Sequence, residues 1–259
     1  MNELRLVQVD AFADRPFSGN PAAVMPLEQW LPDDVLQSIA MENNLSETAF
    51  TIPATGDADY ELRWFTPSTE VVLCGHATLA SGHVLIQGEK VRFRTRKAGL
   101  LEVARDGDGY AMSLPAWTPE PRPLPEVVEA LGCKAVETLW HSHRYGLVIV
   151  ESEEEVRSLS PDFKALGAQG DLLTIVSAPG RETDIVSRVF APGAGIDEDP
   201  VTGSAHAVMV PYWAKRLGRD RMTAYQASRR GGHLTGRLAG DRVILGGHCV
   251  TIVEGVMRI

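Results

Sequence analysis

The stretch from residue 73 to residue 86 constrains the fold of this chain more than any other. It reads LCGHATLASGHVLI, so nearly every position is small or apolar, and no formally charged residue lies between Glu70 and Glu89. A helix lying on a protein surface shows polar residues along its outer face. The pattern therefore predicts a helix that is enclosed on all sides.

The start of this predicted helix is a candidate binding site. Cys74, Gly75 and His76 lie at its first turn, where backbone N–H groups have no partner within the helix and favour an anion. We therefore expect Cys74 and Gly75 to contact an anionic substrate.

A similar pattern recurs in the second half of the chain. Residues 63–67 read RWFTP and residues 188–192 read RVFAP, while Gly75-His76-Ala77 is matched by Gly203-Ser204-Ala205. The two offsets, 188 − 63 = 125 and 203 − 75 = 128, are nearly equal and close to half the chain length of 259 residues. Two matches at one offset predict two copies of one folding unit.

A loop precedes the second predicted helix. It places the carboxylate of Asp199 before Pro200, and Thr202, Gly203 and Ser204 follow at the helix entry. Its glycine spacing fits neither a phosphate loop nor a dinucleotide fingerprint. Asp199 is interpreted as a helix cap, a functional carboxylate, or both.

Two polar residues near the start of the chain are further candidates. Leu45, Glu47 and Ala49 alternate along a predicted strand and share one face. A carboxylate among apolar neighbours is costly to bury in its charged form, as suits a general acid or base, although an exposed strand glutamate fits the pattern equally well. Asn20 fits either a substrate-binding residue or a turn asparagine before Pro21.

Composition excludes several classes of function. The net charge of −9 repels phosphate backbones, so we expect no nucleic-acid partner. No apolar run is long enough to span a bilayer and the N-terminus is too charged for a signal peptide, so we expect a cytoplasmic protein without membrane contact. The three cysteines are widely spaced, and His141 and His143 have no third ligand nearby. We therefore predict no metal site.

The chain is expected to form two domains. Residues 115–125 contain five prolines in eleven positions and are interpreted as the linker. The predicted domains are residues 1–117 and 118–259, and a return of the last strand to the first half is left open. Within the second, residues 138–150 are predicted to form one strand.

Five ordered blocks of the sequence resemble a known family. They read NPAAV from Asn20, NLSET from Asn44, FTP from Phe65, CGHAT from Cys74 and DPVTGSA from Asp199. In this order they resemble the signature blocks of the phenazine-biosynthesis PhzF-like isomerases. The resemblance implies an α+β, diaminopimelate epimerase-like fold with two pseudo-symmetric halves. Each half would be a barrel-like, mostly antiparallel sheet around a central buried helix, with the active site between the halves.

The resemblance also implies roles for individual residues. Glu47 matches the catalytic acid/base that moves a proton between carbons of a small carboxylate-bearing substrate. His76, Asp199 and Ser204 match residues that position the substrate or stabilise charge. No metal or organic cofactor is expected for this chemistry, and a homodimer is plausible.

Two alternatives stay open. An amino- or imino-acid epimerase or dehydratase would use Cys74, although Thr202, a poor base, stands where a second thiol would be needed. A non-catalytic protein that only binds small molecules is the other.

Overall fold

The computed structural model describes residues 3–259, and this part of the chain divides into two compact units. Unit 1 comprises the described residues up to Ser113 together with Gly246–Ile259, and unit 2 comprises Leu114–Leu245. The domain boundary expected between residues 117 and 118 stays a prediction.

Unit 1 is built mainly of strands. Its elements are β1 (Glu3–Ala11), β2 (Asn20–Pro26), α1 (Asp33–Asn43), β3 (Glu47–Pro53), β4 (Tyr60–Phe65), β5 (Glu70–Val71), α2 (Gly75–Leu85), β6 (Lys90–Thr95), β7 (Leu100–Asp106), β8 (Gly109–Pro115), whose last residues belong to unit 2, and β18 (Cys249–Arg258), the last strand of the chain. Neighbouring strands pair antiparallel except β2 with β3 and β4 with β6, which pair parallel.

Helix α2 forms the centre of unit 1. It contacts strands on all its sides, namely β1, β2, β3, β6, β7 and β18, and nine of its eleven residues are buried. One close approach depends on a small residue, because a Cβ added at Gly82 would lie 2.5 Å from a methyl carbon of Val103. The prediction of an enclosed helix is confirmed.

Unit 2 repeats this plan. Its elements are β9 (Glu120–Pro121), α3 (Pro125–Leu131), β10 (Glu137–His141), β11 (Tyr145–Ile149), α4 (Glu153–Ser158), α5 (Phe163–Gly167), β12 (Leu173–Pro179), β13 (Ile185–Ala191), a 3-10 turn (Pro192–Ala194), β14 (Ile196–Asp199), α6 (Gly203–Leu217), β15 (Arg221–Gln226), β16 (Gly232–Ala239) and β17 (Arg242–Gly247), whose last residues belong to unit 1. No helix within residues 3–259 is long and apolar enough to cross a bilayer.

The single strand predicted over residues 138–150 is wrong. This segment forms the antiparallel hairpin of β10 and β11, with His141 paired to Tyr145. Arg144 has φ = 64° in the turn, a left-handed conformation that interrupts an extended strand and that its residue type does not signal.

Helix α6 is the counterpart of α2 and is buried along most of its length. Pro211 lies inside it and has no N–H group, so the carbonyl of Ala207 loses its helical donor. The backbone N–H of Trp117 donates to that carbonyl at 3.0 Å. This bond attaches the start of unit 2 to its central helix.

An arginine that is buried in unit 1 and partly buried in unit 2 marks the duplication. Arg63 donates to both carboxylate oxygens of Glu70, at 2.7 and 2.8 Å, and its guanidinium carbon lies 5.0 Å from the centre of the Phe65 ring. Arg188 makes the same bidentate contact with Glu198, at 2.7 and 2.9 Å, and lies 5.0 Å from Phe190. The repeated sequence patterns therefore form the same local structure twice, which confirms the two pseudo-symmetric halves.

Candidate active site

Local backbone structure brings Glu47 to the start of a central strand. Helix α1 ends where Asn44 adopts a left-handed conformation, with φ = 47°, which asparagine tolerates better than most residues. The chain then turns into β3, where Glu47 pairs with Ala22 of β2. Its side chain is only 12% exposed, so the interpretation as an exposed strand glutamate is wrong.

Asn20 is placed by a tight turn at the start of β2. Gly19 has φ = 65°, and a Cβ there would lie 2.2 Å from the carbonyl oxygen of Ala11. Only glycine therefore fits this close backbone approach. Asn20 is fully buried, and the Ser46 hydroxyl donates to its Oδ1 at 2.9 Å.

His76 is the centre of a cluster that these elements form with the first turn of α2. Its Nε2 lies 3.0 Å from Oε2 of Glu47. On the other side of the ring, Nδ1 lies 3.2 Å from Nδ2 of Asn20 and 3.5 Å from Sγ of Cys74, the residue that precedes α2. Of the predicted residues, Asn20, Glu47, Cys74, Gly75 and His76 therefore all lie in one cluster in unit 1.

The close pair of Glu47 and His76 is incompletely bonded. Although the two atoms lie 3.0 Å apart, they do not form a well-aligned hydrogen bond, and both Nε2 and Oε2 are buried without a hydrogen-bond partner. Buried polar atoms are nearly always hydrogen-bonded, because an unpaired one is costly. A pair left in this state has capacity to bind a further polar group.

Charge and burial determine the protonation states in this cluster. Burial, together with the negative charge of Glu47, raises the pKa of the Cys74 thiol to about 11. Burial by itself lowers the pKa of His76, but the negative charges of Cys74 and Glu47 outweigh it and hold that pKa well above its usual value. Because the thiol is protonated at neutral pH, Glu47 is the residue whose charge acts on His76 there.

Three side chains of the cluster are chemically able to bind a metal ion. Ligand atoms of Glu47, Cys74 and His76 lie within 4.8 Å of one another. However, Glu47 approaches Nε2 while Cys74 approaches Nδ1, and a metal ion binds an imidazole along the lone pair of one nitrogen. The arrangement suits proton transfer better than coordination of one ion by all three.

The other predicted residues form a second cluster in unit 2. Asp199 ends β14, Thr202 precedes α6, and Gly203 and Ser204 form its first turn. The Thr202 hydroxyl donates to Oδ2 of Asp199. Thr202 is the N-cap residue of α6, so Asp199 does not cap the helix itself but holds the hydroxyl of the residue that does; its functional role stays a prediction.

Residues that sequence reasoning missed complete the second cluster. Gln226, at the end of β15, accepts from the backbone N–H of Thr202 at 2.9 Å. His206 bonds the Thr202 carbonyl through Nδ1 at 2.8 Å, and burial lowers its pKa to about 4. No local sequence signal marks either residue, since strand pairing and helix periodicity bring them to Thr202.

Tyr145 is a further missed residue beside Ser204. Burial raises the pKa of its hydroxyl, a hydrogen bond with Ser204 opposes the shift, and the charge of Asp199 adds to it. The ring of Trp117 packs 5.3 Å from Tyr145 and stacks on His141 at 5.6 Å. An aromatic wall therefore adjoins the first turn of α6.

These features together define a class of protein. Each unit has a sheet around a buried central helix, and reactive side chains gather at the N-terminus of that helix, which is the architecture of the diaminopimelate epimerase-like fold. A hydroxyproline epimerase from Agrobacterium vitis has this fold, with a TM-score of 0.61, 13% identity and coverage of 98% of this chain and 92% of the epimerase.

Closer comparisons identify the family. The model of the family described as phenazine biosynthesis-like protein, PhzC-PhzF, matches residues 9–255. A Pseudomonas aeruginosa protein named an uncharacterized isomerase is 49% identical, covering 99% of each chain. The crystal structure of a PhzF-family protein from Enterococcus faecalis superposes with a TM-score of 0.93 at 45% identity, covering all of both chains. The chain belongs to the phenazine biosynthesis-like family, and the expectation of an isomerase-type enzyme is confirmed at this level.

Proposed function

We propose that this protein is a cofactor-independent isomerase that shifts a proton or a double bond in a small carboxylate-bearing metabolite. The observation that carries the proposal is the buried pair of Glu47 and His76, whose facing atoms are 3.0 Å apart and lack hydrogen-bond partners. Glu47 is the general acid and base.

The first step breaks a C–H bond. The Glu47 carboxylate takes the proton from a carbon activated by an adjacent double bond or carboxylate, and the bonding electron pair moves into the substrate as an enolate-like charge. After the transfer, Glu47 carries the proton as a neutral acid.

The second step returns the proton to a different carbon of the same substrate. The electron pair forms the new C–H bond, the double bond takes its new position, and Glu47 is again a carboxylate. The reaction balances without an oxidant or a co-reactant.

Backbone groups supply the electrostatic part of the mechanism. The first-turn N–H groups of Gly75 and His76 have no acceptor within α2 and suit a substrate carboxylate or the developing charge. The proposal also assigns substrate contacts to Asn20, Cys74, Thr202 and Gly203. Asp199 and Ser204 take the roles that the family resemblance implies, which are to position the substrate and to stabilise charge.

A thiol-based epimerase is the less favoured candidate. Cys74 is buried and its pKa is raised to about 11, while the residue before α6 is Thr202. A base with so high a pKa is almost fully protonated at neutral pH. The cluster therefore favours Glu47 over Cys74 as the base.

The test measures solvent deuterium on carbon. Small amino, imino, hydroxy and unsaturated carboxylates are screened by thermal shift, and each one that binds is incubated with enzyme in D2O and analysed by NMR. We expect incorporation by the wild type and a loss of more than about a hundredfold in Glu47→Gln. Glu102→Gln is the matched control, since Glu102 is a surface strand glutamate paired with Lys90.

Each contrary result has a meaning. Binding of a carboxylate without deuterium exchange supports the alternative of a non-catalytic protein that only binds small molecules. Unchanged exchange in Glu47→Gln removes Glu47 as the base. The proposal also includes a cytoplasmic homodimer, which cell fractionation and light scattering test.

A further inference from the structure

Gln226 is a polar residue in the interior of unit 2. Its side chain is fully buried, and every hydrogen of its amide is used. Nε2 donates to the backbone carbonyl of Asp199 at 2.7 Å and to Oγ1 of Thr202 at 3.3 Å, while Oε1 accepts from the N–H of Thr202 at 2.9 Å.

These bonds determine the direction of the hydrogen bond that the Thr202 hydroxyl makes. Because the Thr202 hydroxyl oxygen accepts from Gln226, its own proton points to Oδ2 of Asp199, which it meets in a short contact. The amide of Gln226 thus orients the Asp199 carboxylate through one intermediate hydroxyl. It also holds both the residue that ends β14 and the residue that precedes α6.

The duplicated half of the chain is an internal control. In unit 2, β15 pairs parallel with β13 so that Gln226 lies opposite Ser187. In unit 1, the equivalent pairing of β6 with β4 places Thr95 opposite Leu62, and 62 + 125 = 187 reproduces the offset of the repeated arginines. Thr95 instead bonds Gly99 of its own hairpin, at 2.9 Å.

A residue that the shared fold required would have a counterpart in both halves. The helix α2 forms in unit 1 without a buried glutamine at this position. Gln226 therefore serves a need that belongs to unit 2 alone.

We propose that Gln226 is a positioning residue that holds Asp199, through Thr202, in the orientation that the reaction requires. The inference rests on the proposed function, because it assumes that Asp199 acts on the substrate. It predicts that the donor capacity of residue 226, rather than its size, determines the rate.

Gln226→Glu separates donor capacity from size. The ionised carboxylate still accepts from Thr202 but no longer donates to Asp199, and it attracts the Thr202 proton away from the Asp199 carboxylate. The protonated carboxyl has the shape of the amide and one donor, so it restores the bond. A buried carboxyl next to another carboxylate retains its proton to a higher pH than an exposed one.

The experiment follows kcat and KM for deuterium exchange between pH 5.5 and pH 8, using the carboxylate that the wild type exchanges fastest. The ratio of variant to wild-type kcat is taken per folded enzyme, with the folded fraction measured by circular dichroism. We expect this ratio to rise at least about tenfold for Gln226→Glu as the pH falls, with little change in KM. Gln226→Met, which has no donor, should show a low and pH-independent ratio.

Two further variants complete the design. Thr95→Val alters the counterpart in unit 1 and should leave exchange unchanged. Thr202→Val removes the intermediate hydroxyl, so the double variant with Gln226→Met should lose no more than the more impaired single variant. This comparison remains decisive if Gln226→Glu fails to fold.

The outcomes distinguish the two levels of inference. A wild type that exchanges no carboxylate contradicts the proposed function. If the wild type exchanges, two results contradict the role of Gln226 alone. One is a ratio of Gln226→Glu to wild-type kcat that does not change with pH. The other is a double variant whose loss of kcat equals the product of the losses in the two single variants.

Discussion

Glu47 and Leu173 occupy the same position in the two halves of the duplicated fold. Each residue lies directly before a threonine of the strand that pairs with the arginine-bearing strand. Thr48 pairs with Phe65 in unit 1 and Thr174 pairs with Phe190 in unit 2. The fold itself accepts an apolar residue at this position, so the carboxylate of Glu47 is not a requirement of strand packing.

The same comparison separates the chemistry of the two halves. Cys74 and Thr202 precede the central helices, and His76 and Ser204 are the second residues of those helices. Ala22 and Tyr145 are equivalent as well, since they lie opposite Glu47 and Leu173. Unit 1 thus holds the facing carboxylate and imidazole, while unit 2 holds hydroxyls, a carboxylate and an aromatic wall.

Replacing Cys74 should leave proton exchange largely intact. Its thiol is buried and protonated at neutral pH because its pKa is raised to about 11, so it is a poor base and a poor nucleophile. We expect Cys74→Ser to retain exchange within about tenfold of the wild type, and native Cys74 to resist iodoacetamide at pH 7.5, as measured by mass spectrometry. A collapse of exchange in Cys74→Ser would favour the thiol-based epimerase.

Loss of Arg63 should strongly destabilise the fold. Its side chain is 1% exposed and pairs with Glu70 and Asp33. Arg63→Met leaves the carboxylate of Glu70, which is 29% exposed, with the half-exposed Arg96, 3.3 Å away, as its remaining ionic partner. We expect the free energy of unfolding in urea to fall by about 3 kcal/mol. Arg5→Met is the control, because Arg5 and Glu254 are both at least half exposed and such pairs contribute about 1 kcal/mol or less. Equal effects would contradict this account.

Much of this architecture could be predicted from the sequence. The uncharged stretch around Leu79 predicts an enclosed helix because burial on all sides excludes charge. The paired arginine motifs at Arg63 and Arg188 predict a duplication because each forms the same ion pair in its own half. Each of these features depends on residues close together in the chain, so the local sequence pattern is enough to predict it.

Other features could not be predicted because they depend on long-range pairing. Gln226 reaches Thr202 only because β15 lies beside β13, and Tyr145 reaches Ser204 from a different strand. The turn at Arg144 was missed because its left-handed backbone has no residue signal. The contact of Glu47 with His76 depends on α2 lying against β3, which alternation along one strand does not reveal.

Helix α2 should tolerate no side chain at Gly82. A Cβ there would lie 2.5 and 2.7 Å from two side-chain carbons of Val103, so α2 or β7 would have to move. We expect Gly82→Ala to lower the free energy of unfolding by about 2 kcal/mol despite the higher helix propensity of alanine. Gly88→Ala is the matched control, since nothing lies within 4 Å of a Cβ at that position. An unchanged denaturation midpoint in Gly82→Ala would show that the sheet adjusts freely.

His206 should make the stability of the protein depend on pH. It is buried and neutral in the folded protein, where burial lowers its pKa to about 4, whereas an unfolded chain has a histidine pKa near 6.5. The unfolded state therefore binds more protons between these values, so stability is fully present above about pH 6.5 and is lost as the pH falls through about 4.

The expected loss from this residue is about 3 kcal/mol, because each pKa unit corresponds to about 1.4 kcal/mol. Urea denaturation between pH 4 and pH 7 measures it. His206→Asn removes the titrating ring but keeps a donor for the Thr202 carbonyl, so its stability should vary less with pH than that of the wild type. His233→Asn changes an exposed histidine and should retain the wild-type profile. Identical profiles for wild type and His206→Asn would show that another group causes the acid instability.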